Sequence, residues 1–511
     1  MAEAIKLSQR RHPLFTENEG KWSTYLNSVL GGASVLNADY IFSHRLEDAV
    51  DHADRILRAY YLNFCDTIPS IYNSYIFREH VERPSDKILE LFRINTDGRT
   101  TPIYEFVKRA GYWSSVYGVV HALVDITPTA KKNVTKRDVK TGEVAPYATL
   151  VFPSQLVDWS IDAWGDWRWV VIATTYYRDE DPGIEREEET HYRIITTEEW
   201  RVEDQDGQPV DFPDIESKGP NELGIVPLAT MYHRNQNDDK VGESLIKDIA
   251  FINRTILNWC SCIDEQIDRQ TFSQLVVPDD GTLAERSESG EDPLVKIGTG
   301  TLFTFPYEAS QPPQFISPNT ENIKTIWALV ADHIKEIFRI SGLVGGTGDL
   351  YASKSGRAAQ VGFQGVNSAL AEKAASYQKF ENDISKLAYI QLGKDPSALE
   401  LVKYPTSFDI SALSDDIDSY FKVMERNISE TLNKTIMKTI ARRAAPLVSQ
   451  TIKAQIETEI ESGSGVIETV MRQKTNNVGE DGNPNVNNLS DTHRTTQDKE
   501  FDEKTKQKKT E

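Results

Sequence analysis

Apolar residues along this chain change their spacing several times, and each change marks a different kind of element. The longest regular stripe lies in residues 242–272, which contain no proline and no internal glycine. There Leu245, Ile249, Ile252, Ile256, Trp259 or Cys260, Ile263 and Ile267 recur at steps alternating between four and three. That is one apolar face of a helix, roughly 46 Å long at ~1.5 Å per residue. A second stripe fills residues 320–341, through Ile323, Ile326 or Trp327, Val330, Ile334 and Ile337 or Phe338. Between the two, Pro278-Asp-Asp-Gly281 marks a break and residues 279–293 form a polar loop. Strand-like runs follow at 294–297, 301–305 and 314–316, split by Gly298, Gly300, Pro306, Pro312 and Pro313. The pattern predicts an antiparallel hairpin of helices carrying a small β module at its far end.

The first part of the chain is mixed. Residues 46–64 read as a helix, residues 85–91 as the start of another, and residues 104–116 as a third, while 119–124 is a short strand-like run. Residues 148–177 turn to Val, Ile, Trp, Thr and Tyr, with breaks at Pro153 and Gly165-Asp166. Residues 167–177, 191–197 and 198–202 then predict antiparallel strands, with a turn at Asp204-Gln-Asp-Gly207. This α+β region ends near Pro227-Leu-Ala-Thr-Met-Tyr232.

On the other side of the hairpin, Gly342-Leu-Val-Gly-Gly-Thr-Gly348 breaks the second helix. A third long helix is expected over 355–392, with Ser355 as its N-cap. Its first half is rich in Ala, Ser and Gly, and Gly362 and Gly365 cost helix stability that close packing or a bend would offset. Residues 399–402 have strand character after Gly393 and Pro396. Residues 413–461 are strongly helical with a kink expected at Pro446, and 475–511 read as disordered from their polar composition.

Charge then narrows the function classes. The 511 residues carry 57 Lys and Arg against 78 Asp and Glu, a formal net charge of −21. Tight, sequence-independent gripping of a nucleic-acid backbone needs cations to neutralise phosphates, so that class is disfavoured. A passage through which DNA must slide is served by weak attraction or mild repulsion. The cysteines are Cys65, Cys260 and Cys262, which give no disulfide framework and point to a reducing compartment. Cys260-Ser-Cys262 lacks a second Cys or His pair at finger spacing and reads as packing rather than metal binding. Residues 1–11 carry no apolar signal segment, and no run of ~18 apolar residues predicts a membrane span.

Candidate chemical motifs fail on inspection. Gly348, Lys354 and Ser355 fall at phosphate-loop spacing, but Ser353 replaces the second glycine and a helix precedes where a strand belongs. Asp238-Asp239 and the Asp415, Asp416, Asp418 set each precede a helix and complement its dipole, without the further ligands of a two-metal site. The histidines are scattered, and no Ser/His/Asp or Cys/His arrangement emerges. Neither a catalytic constellation nor a metal or cofactor site is expected.

The order of elements is more informative. Gly224-Ile-Val-Pro-Leu-Ala-Thr-Met-Tyr232 followed by Gly242-Glu-Ser-Leu-Ile-Lys-Asp-Ile-Ala-Phe-Ile-Asn253 resembles the approach to the stem in portal proteins of tailed bacteriophages. Ile337-Phe-Arg-Ile-Ser-Gly-Leu-Val344, a glycine-bearing loop and Ser355-Gly-Arg-Ala-Ala359 are similar to that family's second stem helix, tunnel loop and tunnel-lining helix. The layout matches over residues 40–460 and the specific motifs over 224–392.

The resemblance implies an α+β portal fold. Its mixed α/β wing would comprise residues 1–241, the stem helices 242–272 and 320–341, and a small β-containing clip 273–319. The tunnel loop would be 342–354, a tunnel helix and connector of the wing 355–412, a helical crown 413–461, and a tail 462–511. Leu343, Val344, Thr347, Asp349, Lys354 and Arg357 would then face DNA. Lys354 and Arg357 suit transient phosphate contacts or, equally, subunit salt bridges. Glu285, Arg286, Glu288, Glu291 and Asp292 of the clip would meet an adaptor or the terminase, or form a solvated loop.

On the stem, the polar faces with Asp248, Asn253, Asp264, Glu265 and Lys335 would line water. The family implies a non-enzymatic, dodecameric homo-oligomeric ring in the virion, at the portal vertex of the capsid. It would assemble in the host cytoplasm without contact with a membrane. Its partners would be double-stranded DNA, the terminase, an adaptor or head-completion protein and the major capsid protein. Two other classes stay open: an unrelated ring-forming or coiled-coil scaffold, and an enzyme whose site is assembled from residues the sequence does not associate.

Overall fold

The computed structural model describes residues 6, 9–78, 80–126, 144–178, 183, 185–210, 216–234, 239–270, 274–279, 302–306, 314–316, 321–343, 356–408, 422, 423, 426, 429–444 and 450–462. The chain divides into two compact units, Met1–Asp409 and Ile410–Glu511. The first is a mixed helix-and-sheet body of α+β class.

Its order begins with α1 (Pro13–Leu30), α2 (Gly32–Leu36), α3 (Ala49–Arg58), α4 (Phe64–Ile76), α5 (Glu90–Ile94) and α6 (Ile103–Tyr117). The single helix expected over 46–64 is two. Asp48 caps α3 through the amides of Val50 and Asp51, the chain leaves the helix at Ala59, and Asn63 caps α4 through Asp66. Pro69 lies inside α4 and removes one ladder donor, which hid that helix from a periodicity reading. Helix α1 also went unread, although Pro13 opens it and Phe15, Trp22, Tyr25 and Val29 form its buried stripe. The helix expected from 85 onward is only the short α5.

Eight strands follow: β1 (Val119–Ile126), β2 (Pro146–Val151), β3 (Leu156–Ile161), β4 (Trp167–Arg178), β5 (Glu187–Thr196), β6 (Glu199–Glu203), β7 (Lys218–Pro220) and β8 (Leu228–Tyr232). They form two antiparallel sheets, one of five strands in the order β3-β4-β5-β6-β7 and one of three in the order β2-β1-β8. In the three-stranded sheet, β1 is central and almost wholly buried. Within it His121 is enclosed, its Nδ1 3.0 Å from Thr230 Oγ1. Burial pushes its pKa down to about 3, so the fold holds the neutral ring while an unfolded chain takes up a proton below pH 6.5. Stability from this group is therefore intact above pH 6.5 and is lost as pH falls toward 3. Between pH 7 and 5 the expected loss is about 2 kcal/mol, read as a drop in urea midpoint that His121→Asn flattens. An unchanged slope in that variant would remove His121 as the cause.

Helix α7 (Ile249–Gln270), the small sheet of β9 (Gln274–Asp279), β10 (Leu302–Pro306) and β11 (Gln314–Ile316), α8 (Glu321–Ile340) and α9 (Gly356–Gln391) complete the first unit. Helices α7 and α8 pack against each other, and the Trp259 and His333 rings meet near their midpoints, 4.6 Å apart. In the small sheet β9 is central, parallel to β10 and antiparallel to β11. Strand β9 runs through Pro278, where a break was expected, while the run at 294–297 lies outside the described residues. Helix α9 packs across β8 and β1 and is continuous through Gly365, where an added methyl would meet nothing within 4 Å. Close packing is therefore not what offsets that glycine. Residues 399–402 are not a strand; a 3-10 turn (Pro396–Ala398) precedes them, and only Lys403 makes a bridge, to Glu82.

The second unit contains α10 (Glu430–Ala444) and α11 (Gln450–Ser462), which pack together. Lys438 Nζ donates to Glu461 Oε1 at 2.5 Å across that pair. Pro446 and the tail from 463 lie outside the described residues.

Candidate functional site

The two central helices α7 and α8 are rooted at one place in the body, beneath the C-terminus of α6. A helix end leaves carbonyls without intrahelical partners, and the segment leading into α7 supplies them with donors. The Ser115 carbonyl accepts the Leu245 amide at 2.9 Å, and the Val116 carbonyl accepts the Ser244 hydroxyl at 2.6 Å. Gly118 closes α6 with φ +90°, and its carbonyl accepts the His233 amide at 2.8 Å. At the crossing, two glycines touch backbone to backbone. A methyl on Gly118 would sit 2.2 Å from the Gly242 carbonyl oxygen, and one on Gly242 would sit 2.1 Å from that of Gly118.

This explains why α7 starts at Ile249 and not at the expected 242. Gly242 lies against the Gly118 backbone, the Glu243 amide bonds the Arg234 carbonyl at 2.8 Å in an isolated bridge, and Ser244 bonds α6, so the chain here is extended and not helical. Ser244 instead accepts the Ile246 amide at 3.1 Å and opens the turn that leads into the helix.

The C-terminal end of α8 is fixed a short distance away. Gly342 adopts φ +74°. Its amide bonds the Arg339 carbonyl and the Leu343 amide bonds that of Phe338, both at 3.1 Å. This is a Schellman cap, in which the residue after the glycine packs back on the helix. The Tyr72 hydroxyl of α4 donates to the remaining Ser341 carbonyl at 2.6 Å. Leu343 is consequently part of the core, which corrects its expected place facing DNA: the cap turns its side chain inward.

Helix α9 completes the junction. Lys373 is 2% exposed, and its Nζ donates to Ser114 Oγ at 2.6 Å. Burial drives its pKa well below the usual lysine value. The Ser114 hydroxyl in turn donates to the Gly111 carbonyl at 2.9 Å. A lysine beside a serine can activate it as a nucleophile, but Ser114 is fully enclosed and its proton is committed to Gly111. The pair joins α6 to α9. One turn further along α9, Tyr377 lies over Gly111, where a methyl would fall 1.9 Å from the ring.

A cleft of about 300 Å³ opens at this junction, lined by Tyr72, His233, Arg234, Asp248, Glu372 and Lys373 among others. His233 meets Tyr72 edge to face at 6.3 Å, and its Nδ1 has no hydrogen-bond partner among the described residues. Burial, with the nearby Lys373 and Arg234, holds its pKa well below the ordinary histidine value. Arg234 lies 3.8 Å from Glu243, which also pairs with Lys247. With the Lys373 amine uncharged, Arg234 and Lys247 face three carboxylates in the lining, Glu243, Asp248 and Glu372, so the cleft is not built to hold an anion. Among the described residues no group of three His, Cys, Asp or Glu side chains is placed to hold a metal ion, and no helix is long and apolar enough to cross a membrane.

The other sequence-predicted positions divide sharply. Val344, Thr347, Asp349 and Lys354 lie outside the described residues, as do Glu285, Arg286, Glu288, Glu291 and Asp292; Arg357 falls in the first turn of α9. Of the polar positions expected to line water, Asn253 is buried instead, because α7 is enclosed on several sides near its root. Glu265 pairs with Arg58 of α3, Asp248 borders the cleft, and Lys335 bonds Asp332 at 2.9 Å on an exposed face. Burial raises the pKa of Asp264, with Arg58 acting against it. Sequence reasoning missed Gly118, Tyr72 and Lys373; of these only Gly118, immediately after a helical stripe, carried a local signal. Protein-family models and curated proteins give no match to this chain.

Proposed function

We propose that this chain is a portal-type subunit, forming a ring of about twelve copies through which double-stranded DNA enters and leaves a phage capsid. The observation that carries this reading is the helical pair itself. Helices α7 and α8 are joined through a small separate sheet and return to a single root in an α+β body, with a long helix following. At ~1.5 Å per residue they measure about 33 and 30 Å, long enough to form the wall of a channel when repeated around an axis. The net charge of −21 suits a passage that lets a polyanion slide.

In this reading the β9–β11 end of the pair is the clip that meets the terminase and then an adaptor. The segment after Leu343 approaches the DNA, and the α10–α11 unit forms the crown. The major capsid protein surrounds the ring at one vertex of the virion. The subunit performs no chemistry; it positions DNA and partners.

The direct test is electron microscopy of the purified full chain together with its native mass. Closed rings with a central hole and a mass near twelve times 57.8 kDa are the expected result. A single chain or a compact dimer without a channel, persisting at high concentration, would sink the reading.

A further inference from the structure

Arg254 of α7 sits among aromatic rings. Its guanidinium carbon lies 5.7 Å from the Tyr40 ring centre, 5.3 Å from that of Phe42 and 5.2 Å from that of Phe251. Stacking of this kind engages the face of the guanidinium and leaves its edge donors open. Among the described residues those donors meet neither an ion-pair partner nor a hydrogen-bond acceptor. The arginines of the neighbouring α3 differ: Arg55 bonds Glu47 at 2.7 Å and Arg58 bonds Asp268 at 2.8 Å.

The rings are fixed by the backbone that carries them. Asn258, one turn along α7 from Arg254, donates from Nδ2 to the Tyr40 carbonyl at 2.8 Å and accepts the Phe42 amide at 2.9 Å. The Phe42 carbonyl accepts Arg55 Nη2 at 2.7 Å. Both backbone groups of Phe42 are therefore held by α3 and α7, yet its side chain leaves it 58% exposed, and Phe251 is 49% exposed. Rigid aromatic side chains with an arginine between them are the residue types that dominate the energetic centre of protein interfaces. We infer that Arg254 anchors the contact between neighbouring copies, the edge of its guanidinium taking a carboxylate of the next copy while Phe42 and Phe251 are covered.

Charge selects this occupant. A nucleic-acid backbone is held by several cations acting together, whereas this cluster offers one, in a chain of net charge −21. A second copy brings 78 acidic residues against 57 basic ones, so carboxylates are what its surface has in surplus. Arginine pairs a carboxylate through two parallel hydrogen bonds, and the pair strengthens where adjoining rings exclude water. Two rings are too small to be a whole interface, and the cluster is one anchor within it. The inference rests on the ring reading above and names a residue on which the ring depends.

The test uses the full chain, followed by native mass and electron microscopy. Arg254→Glu sets carboxylate against carboxylate. It should raise the concentration at which rings form by at least ~30-fold while keeping the circular dichroism of the folded chain. Arg254→Lys retains the charge, should retain the rings, and reports the partner. Unlabelled and heavy-isotope-labelled Arg254→Lys chains are mixed, assembled and treated with a carbodiimide. The reagent activates a carboxylate, the amine at position 254 displaces the activating group to form an amide, and the lost oxygen leaves in the urea. Peptides joining position 254 of one label to an Asp or Glu of the other are expected, and they identify the partner carboxylate. Rings with no mixed-label amide at position 254 would overturn the inference, as would rings of unchanged stability from Arg254→Glu; either result leaves the ring reading in place. Should Arg254→Glu fail to fold, the mixed-label amide alone decides. Wild-type protein that stays a single chain at high concentration would bring down both.

Discussion

Replacing Gly242 by alanine is expected to destabilise the first unit by about 3 kcal/mol or more, at the upper end of what one added methyl does. The reason is the partner it meets. An overpacked methyl is tolerated when a flexible side chain can move aside, but here the obstructing atom is the Gly118 carbonyl oxygen, 2.1 Å away. That carbonyl is held by the His233 amide and cannot withdraw without releasing a buried hydrogen bond. Gly118→Ala should be worse. It meets the Gly242 carbonyl at 2.2 Å and also forces a side chain into φ +90°, a conformation that glycine adopts freely and alanine does not.

Gly365→Ala is the control of opposite sign. It sits in helix α9 with nothing within 4 Å of the added carbon, and should stabilise by about 0.5–1 kcal/mol through helix propensity alone. Urea unfolding of the three variants, followed by far-UV circular dichroism, checks the set. A Gly242→Ala midpoint within error of wild type would show that the crossing is looser than the structure has it.

The contrast between those glycines shows what the sequence could and could not convey. Helical spacing located α6 and α8 to within a residue or two, and the Ser355 cap with the break at Gly393 did the same for α9. In the five-stranded sheet the runs at 167–177, 191–197 and 198–202 were legible as β4, β5 and β6, while the three-residue β7 carried no such signal. The start of α7 was not legible either, since its apolar pattern continues back through Leu245 while Ser244 and Leu245 are bonded to carbonyls more than a hundred residues earlier. Nothing near Gly242 announces that Gly118 lies against it.

Helix α3 failed differently. Residues 46–64 read as one helix, and the pattern says neither that the chain leaves it at Ala59 nor which face turns inward, where Arg55 bonds Glu47 and Ser261 of α7 and Ile56 packs on a small core cluster. Burial beside Arg55 is compensated by holding the Glu47 carboxyl down at about 2, chiefly through its hydrogen bonds from Arg55. At the root of the helical pair, Tyr72 and Lys373 look in sequence like ordinary surface-compatible residues. Their roles come from being brought to the ends of α8 and α6 by elements far away in the chain.

Lys373 leads to the second large effect, a stability that rises with pH through neutrality. In the folded protein burial keeps its amine uncharged to well below the usual pKa, while in the unfolded chain it titrates near 10.4. Between those two values unfolding takes up a proton, so stability increases with pH, by up to ~1.4 kcal/mol per unit. The contribution is complete only above the unfolded pKa and is lost as pH falls toward the folded one. The clearest window is pH 7 to 9. Below it the depressed histidines His121 and His233 change charge on unfolding. Above it the buried Cys65 thiol, pushed up to about 12 by burial, begins to favour the unfolded chain.

Across that window stability is expected to rise with pH, by at most ~1.4 kcal/mol per unit. Lys373→Met keeps the length and apolar stem of the side chain while removing the amine. It should abolish the rise and leave the protein more stable than wild type at pH 7, because a buried charge-bearing group is replaced by one with no desolvation cost. Ser114→Ala should do the reverse, since it removes the acceptor that the enclosed amine uses. Parallel urea titrations of the three proteins at pH 7, 8 and 9 decide the matter. A flat wild-type profile would mean that Lys373 keeps its proton in the folded state, with the α6–α9 joint resting on a charged amine.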